Sequence, residues 1–134
     1  MSSTLDVAVS GLQAASARLS VAAENIVNAR SRAPVEPEGP DGPKGKVPEE
    51  VYRPQRVEQR SRAEGGVSAE RRPVEPATVT EQDARSPTGY SAVPNVDYGR
   101  ELVELRLAAQ SYRQNIEVIR AQMEMDEALL DIEV

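Results

Sequence analysis

Proline is confined to the middle of this chain. All ten prolines of the 134-residue sequence lie between Pro34 and Pro94. Because proline lacks an amide proton and its ring clashes with the preceding helical turn, that middle segment excludes long helices. We therefore expect three parts: a helical segment over 1–30, an extended segment over 31–94 and a second helical segment over 95–134.

The N-terminal segment carries a strict seven-residue repeat. Large residues recur at this interval, and alanines recur at the same interval three places later. The two series are Leu5, Leu12, Leu19 and Ile26, and Ala8, Ala15 and Ala22. Seven-residue spacing predicts a helix with one apolar seam. Since a row of alanines lets a second helix approach closely, the alanines predict a groove for larger side chains.

The C-terminal segment repeats apolar residues at alternating steps of four and three. A period near 3.5 residues is typical of helices that pack as a coiled coil. Its seam is Leu102, Leu105, Ala109, Tyr112, Ile116, Ile119, Met123 and Leu130. The predicted fold is mainly α, with two long terminal helices packed as a coiled-coil-like pair. We expect Asn95 or Asp97 to cap the second helix.

The middle segment combines two patterns. From Pro34 to Pro48 prolines alternate with glycines and charges, which predicts an extended, solvated linker; a proline-rich ligand for an aromatic groove is the alternative. Farther on, valines flank Gly65-Gly66 and predict a short β-hairpin turning there. Arginines and glutamates interleave along the hairpin, which favours a solvated strand face over nucleic-acid binding.

The composition argues against catalysis. The sequence contains no Cys and no His. Thiol nucleophiles, thiolate metal sites, the commonest general base and the commonest metal ligand are therefore missing. An acidic cluster near the C-terminus is more typical of a solvated helix face than of a catalytic site: Glu124, Asp126, Glu127 and Asp131. We expect no enzyme activity, no cofactor and no metal.

Charge and hydropathy limit the partners and the location. The net charge is −6, of which −5 falls on residues 95–134, so nucleic acid is an unexpected partner. No run of eighteen apolar residues is present, which predicts no insertion into a membrane. The N-terminus lacks the basic start and apolar stretch of a cleavable signal peptide. We expect a cytosolic protein, or one exported without such a signal.

Both ends of the chain resemble motifs of bacterial flagellar basal-body rod proteins. The N-terminal motif, similar to that of rod and hook subunits, includes Ser10, Gly11, Leu12, Asn25 and Asn28. The C-terminal motif, similar to that of proximal rod subunits of the FlgC type, includes Pro94, Asn95, Val96 and Asp97. The short length points the same way, because hook and distal rod subunits carry much larger inserted β domains.

The resemblance implies a structural subunit that is exported uncleaved by the flagellar type III apparatus and polymerises in the periplasm into the torque-carrying rod. Its implied partners are copies of itself, other rod subunits, the membrane-ring base of the rod and the export apparatus. The seam residues would then pack subunits together. Asn25 and Asn28 either end the first helix or form hydrogen bonds at a subunit contact.

Two alternatives remain open at this point. A helical adaptor or export chaperone of a secretion system would also be small, acidic and helical, but would need no glycine- and proline-rich middle. A neighbouring proximal rod subunit of the same family would share the N-terminal motif. The Pro94-Asn95-Val96-Asp97 stretch favours the FlgC type.

Overall fold

The computed structural model describes residues 4–36 and 48–132. Two long helices form the ends of the chain, and a small β region lies between them in the sequence. The elements are α1 (Thr4–Asn28), β1 (Ala33–Pro34), β2 (Gln55–Ser61), β3 (Val67–Pro73), β4 (Thr78–Gln82), β5 (Tyr90–Pro94) and α2 (Tyr98–Ile132). Both helices lie in the proline-free ends, as predicted, and the β region lies between them.

The two helices pack against each other in antiparallel orientation. Near the start of α1, Gly11 approaches Asn115, and near its end Asn25 bonds to Glu101. With 25 and 35 residues, α1 and α2 are about 37 Å and 52 Å long at 1.5 Å per residue. In this register the last turns of α2 extend past Thr4, the first described residue of α1.

The predicted hairpin is confirmed. β2 and β3 pair in antiparallel register from Gln55 opposite Pro73 to Ser61 opposite Val67. The turn needs glycine, because Gly65 and Gly66 have φ values of 96° and 80°. Most hairpin side chains are exposed, and ion pairs such as Arg72–Glu70 at 2.9 Å connect them along the strand. The hairpin therefore has the solvated face that its mixed charges predicted.

A three-stranded sheet in the order β1-β5-β4 was not expected from the sequence. Ala33 pairs with Ala92 on one side of β5, and Thr78 pairs with Pro94 on the other. The sheet and the segment before β2 bury a small apolar cluster: Ala33, Val35, Val51 and Ala92.

This sheet corrects the predicted start of the linker. Pro34 pairs with Ser91, and Val35 is only 4% exposed, so the chain is still part of the sheet where a solvated linker was expected. The pairing partner lies far downstream in the sequence, and a local proline pattern cannot reveal it. Of the linker prediction for Pro34 to Pro48, residues 37–47 lie outside the described residues.

Asp97, rather than Asn95, caps α2. The Arg100 amide donates to Asp97 Oδ1 at 3.1 Å, which satisfies one of the free amides of the first turn. Asn95 instead bonds to the segment just before β4: its backbone amide donates to the Ala77 carbonyl and its side-chain Nδ2 donates to the Pro76 carbonyl.

Candidate assembly surfaces

The alanine series of α1 faces into the fold, where the helices meet. Ala8, Ala15 and Ala22 are 3%, 1% and 1% exposed, and Ala108 on α2 is fully buried. A Cβ on Gly11 would stand 2.5 Å from Asn115 Oδ1. The two backbones therefore lie close together, because the residues at their contact are small.

The larger residues of the repeat lie on α1 to one side of its contact with α2. Leu5 and Leu19 are 39% and 37% exposed, as is Val9 at 39%, whereas Leu12 and Ile26 are half-buried. Together with two small residues, a serine and an alanine, they form a largely apolar row at steps of four and three along one side of the helix. We call it the outer stripe: Leu5, Val9, Leu12, Ser16, Leu19, Ala23 and Ile26. Since exposed apolar patches often mark contact sites, the outer stripe is a candidate contact surface.

The predicted seam of α2 is only partly covered within one chain. Its central members are half-buried, namely Leu105, Ala109, Tyr112, Ile116 and Ile119. Leu102, Met123 and Leu130 are 54%, 63% and 68% exposed. The α2 residue that is completely buried is Ala108, beside the predicted position Ala109. The assignment of the seam to subunit packing remains a prediction.

A second face of α1 is covered by the β2–β3 hairpin. At the hairpin tip, the Val67 amide donates to Ser10 Oγ at 3.1 Å, and a Cβ on Gly66 would stand 2.4 Å from the same oxygen. Farther along the helix, Arg71 binds Glu24 at 3.1 Å. Each hairpin strand has seven residues and is about 23 Å long. The fifteen helical steps from Ser10 to Asn25 also rise about 23 Å, so the hairpin is as long as the part of α1 that it covers.

Asn25 uses all four hydrogen-bonding positions of its carboxamide. It is 0% exposed. Nδ2 donates to the Gln55 carbonyl at 2.7 Å and to Glu101 Oε1 at 3.1 Å. Oδ1 accepts from the Gln55 amide at 3.1 Å and from the Tyr52 hydroxyl at 3.0 Å. One side chain of α1 therefore binds β2, the segment before β2 and α2.

The two motif asparagines have different roles. Asn28 is the last residue of α1 and donates to the carbonyl of Glu24, one turn back in its own helix, at 2.9 Å. This matches the interpretation in which it ends the helix. Asn25 instead bonds to other elements of its own chain, which is neither the helix-ending role nor the subunit contact considered from the sequence.

The remaining motif residues mainly support the fold. Ser10 accepts a hydrogen bond from the hairpin, Gly11 permits the close approach of α2, and Leu12 lies in the outer stripe. Pro94 ends β5, Asn95 bonds to the sheet and Asp97 caps α2. Val96 is half-buried between sheet and helix.

Three ionisable groups at the helix contact and beside the sheet have perturbed pKa values. A hydrogen bond to Glu104 raises the pKa of Arg18, and these two side chains form an ion pair across the helices. Burial raises the pKa of Glu101, and the hydrogen bond from Asn25 opposes that shift. Directly after β4, hydrogen bonds from the Arg85 amide and from Ser91 lower the pKa of Asp83.

Opposite charges lie at the two ends of the helical pair. The tip of α2 carries exposed carboxylates, namely Glu124, Asp126, Glu127 and Asp131; we call it the acidic tip. At the other end, Arg30, Arg32 and Arg85 surround an open cleft. Among the described residues that line it, Asp83 is the single acid, and it binds Arg32 at 3.2 Å. We call this the basic end.

Another cleft, of about 280 Å³, opens between α1, the hairpin and the start of α2. Its lining balances three arginines against three acids: Arg18, Arg56, Arg100, Asp97, Glu101 and Glu104. The balance gives it no net attraction for a charged ligand.

Neither a metal site nor a membrane span is found in the part of the chain that the structure describes. Within residues 4–36 and 48–132, no three metal-ligating side chains are grouped, and no helix has the length and apolarity needed to cross a bilayer.

The contacts of several residues that hold the surfaces together were not predicted from the sequence. Tyr52, Glu101 and the Arg18–Glu104 pair act across long sequence separations. An isolated aromatic residue such as Tyr52, in a chain with only four tyrosines and no Phe or Trp, was the one available signal.

Comparison with known proteins identifies the family. No family model matches the chain. It is 34% identical to the flagellar basal-body rod protein FlgC of Salmonella typhimurium over 126 aligned residues, covering 85% of this chain and 84% of that protein. FlgC of Escherichia coli O157:H7 is 33% identical with the same coverage, and FlgC of Yersinia enterocolitica is 34% identical over 119 aligned residues.

Two packed terminal helices, a small β region and uncovered apolar stripes fit the class of structural subunits to which these relatives belong. The chain belongs to the FlgC family of flagellar basal-body rod proteins. The resemblance seen in the terminal motifs is thereby confirmed, and the chain is a structural component of the basal-body rod.

Proposed function

We propose that this chain polymerises through its terminal helices into the proximal rod, and that the rod transmits torque from the motor to the hook. The observation that carries the proposal is the uncovered apolar surface on two helices that already pack together. Leu19 on α1 and Leu102 on α2 are 37% and 54% exposed. Neighbouring subunits would cover these surfaces.

The outer stripe supports coiled-coil-like packing between subunits. Its steps of four and three match those of the α2 seam, so helices of adjacent chains can interdigitate along both. Fully burying a leucine side chain contributes about 2 kcal/mol. Several such residues per chain, repeated along a polymer, would stabilise it strongly.

The charged ends support a head-to-tail arrangement. The acidic tip of one subunit would attract the basic end of the next subunit along the axis, whereas two like ends would repel. Head-to-tail contacts build an open filament, rather than a ring, when the rotation between neighbouring subunits does not close. A rod needs such open contacts.

The location and the partners follow from this role. The segments 1–30 and 95–134 would form the helical core of the rod, and 31–94 would lie outside it. The subunit would be exported without a cleaved signal peptide by the flagellar export apparatus and would reside in the periplasm. It would contact its own copies, other rod subunits and the membrane-ring base of the rod. The role requires no catalysis, cofactor, nucleic acid or membrane insertion.

Detergent-washed basal bodies test the proposal. Quantitative mass spectrometry of basal bodies purified from the source bacterium should find this chain at a fixed ratio to the ring proteins, and deletion of its gene should leave rings without rods. A chain found only in the soluble fraction, with rods intact after deletion, would instead support an adaptor or export chaperone.

A further inference from the structure

We propose that Asn25 is a positioning residue for assembly: it latches the β2–β3 hairpin and α2 onto α1, and so determines which face of α1 remains for neighbouring subunits. The inference rests on the proposed function, because its effect is seen in the polymer. It assigns Asn25 a role within the chain that controls contacts between chains.

The latch depends on a pairing of the Asn25 side chain with a peptide group. Its amide nitrogen donates to the Gln55 carbonyl while its oxygen accepts from the Gln55 amide, at 2.7 and 3.1 Å. Asn25 thus binds the first residue of β2 as a neighbouring strand would. The base of the hairpin is held by its backbone, whatever the side chain at position 55.

The two remaining bonds join the latch to other elements. The Tyr52 hydroxyl donates to Asn25 Oδ1, and Glu101 of α2 accepts from Nδ2. A carboxamide alone among side chains of this size offers two donors and two acceptors. Because Asn25 is completely buried, a residue that fills only part of this set leaves a polar group unpaired.

The consequence for assembly lies in the face that the hairpin covers. Ala14 and Val21 are 1% and 3% exposed on the side of α1 that carries Ser10, under the hairpin. If the base of the hairpin were released, this apolar face would open on the side of α1 away from the outer stripe, because Ala14 and Val21 are each two residues, or about 200°, from Leu12 and Leu19. A neighbouring helix could then pack on the wrong side of α1. The latch therefore restricts neighbours to the outer stripe.

A pair of asparagine substitutions tests the latch, with Asn28→Ala as the matched control. Each variant is expressed in a strain that lacks the chromosomal gene, and copies per basal body are counted by mass spectrometry. Asn25→Ala should lower the count at least about tenfold, because it leaves several buried groups unpaired. Asn28→Ala removes one hydrogen bond within α1 and should stay within about twofold of wild type. Equal counts for the two variants would overturn the proposal.

A second, compensating substitution distinguishes loss of the latch from a general loss of folding. Asn25→Asp keeps both acceptor contacts but loses both donor contacts, to the Gln55 carbonyl and to Glu101, and it places a carboxylate against Glu101, so it should assemble poorly. Adding Glu101→Gln removes the repulsion and supplies an amide donor to that carboxylate, so incorporation should rise at least about twofold over Asn25→Asp, while the bond to the Gln55 carbonyl stays lost. Glu101→Gln alone should be near neutral. A double variant that incorporates no better than Asn25→Asp would show that the contact between Asn25 and Glu101 contributes nothing, which contradicts the joining of α2 to the latch.

The two proposals fail in different ways. If the wild-type chain is missing from basal bodies, the proposed function is wrong. If the wild type is present and Asn25→Ala incorporates equally well, the rod assignment stands and the latch is wrong.

Discussion

At the scale of single residues, the packing of this subunit depends on glycines and alanines, whose side chains are absent or small. Gly11 lets Asn115 approach, Gly66 lets Ser10 approach and alanines line the contact between the helices. A methyl group at either glycine would overlap a polar atom of the neighbouring element. These positions determine how closely the elements pack more directly than any ion pair does.

Two glycines with nearly the same φ allow a matched test. Gly66 and Gly89 have φ values of 80° and 79°, so alanine costs about 1–2 kcal/mol of backbone strain at each. Only at position 66 does the new Cβ also collide, at 2.4 Å from Ser10 Oγ, while position 89 has open space. Gly66→Ala should therefore reduce swimming strongly and Gly89→Ala only mildly. Similar swimming zones on soft agar, at equal protein levels, would contradict the docking of the hairpin tip on α1.

At the scale of elements, the sequence predicted what depends on local pattern. The 3.5-residue period located both helices, and the Gly65-Gly66 pair located the hairpin. The three-stranded sheet was missed because its strands are short and because Pro34 and Pro94 look like breakers. Both prolines stand at strand ends, where a missing donor is tolerated. Asn25 was recognised as a motif residue, but its contacts depend on a tertiary arrangement that no spacing reveals.

The outer stripe predicts a mutant that folds no worse but assembles badly. Leu19 is already 37% exposed in the single chain, so Leu19→Asp should leave protein levels unchanged. In the polymer the carboxylate would be buried without a partner, and rods should be missing. Ile116→Asp should also abolish rods, because Ile116 lies in the α2 seam.

The matched control is Arg60→Glu, an exposed position on the hairpin, which should preserve motility. Levels by immunoblot and rods by electron microscopy of basal bodies provide the measurement. Motile cells with normal amounts of Leu19→Asp protein would refute the outer stripe as a contact surface.

At the scale of the whole molecule, one chain covers its own helices incompletely. Among the described residues of α2, Ala108 alone is buried, although the helix has 35 residues. Ordering each residue costs about 1–2 kcal/mol in backbone entropy. If the chain polymerises as proposed, other subunits would supply many of the compensating contacts.

We therefore expect the purified monomer to be largely disordered at both ends and to gain its helices on assembly. Circular dichroism at low micromolar concentration should show little helix, and amide hydrogens of residues 5–26 and 100–130 should exchange rapidly. A cooperative thermal transition with protected amides throughout both segments would contradict this expectation and favour an adaptor.

The alanine-lined contact between α1 and α2 has a mechanical consequence. Alanine has no rotatable side-chain torsion beyond its methyl group, so a contact built from Ala8, Ala15, Ala22 and Ala108 cannot yield by changing rotamers. Leucine and methionine on the outer surfaces can shift between staggered states under load. In a twisted shaft of such subunits, elastic strain would concentrate at the joints between chains, while each helical pair turns as a stiff unit.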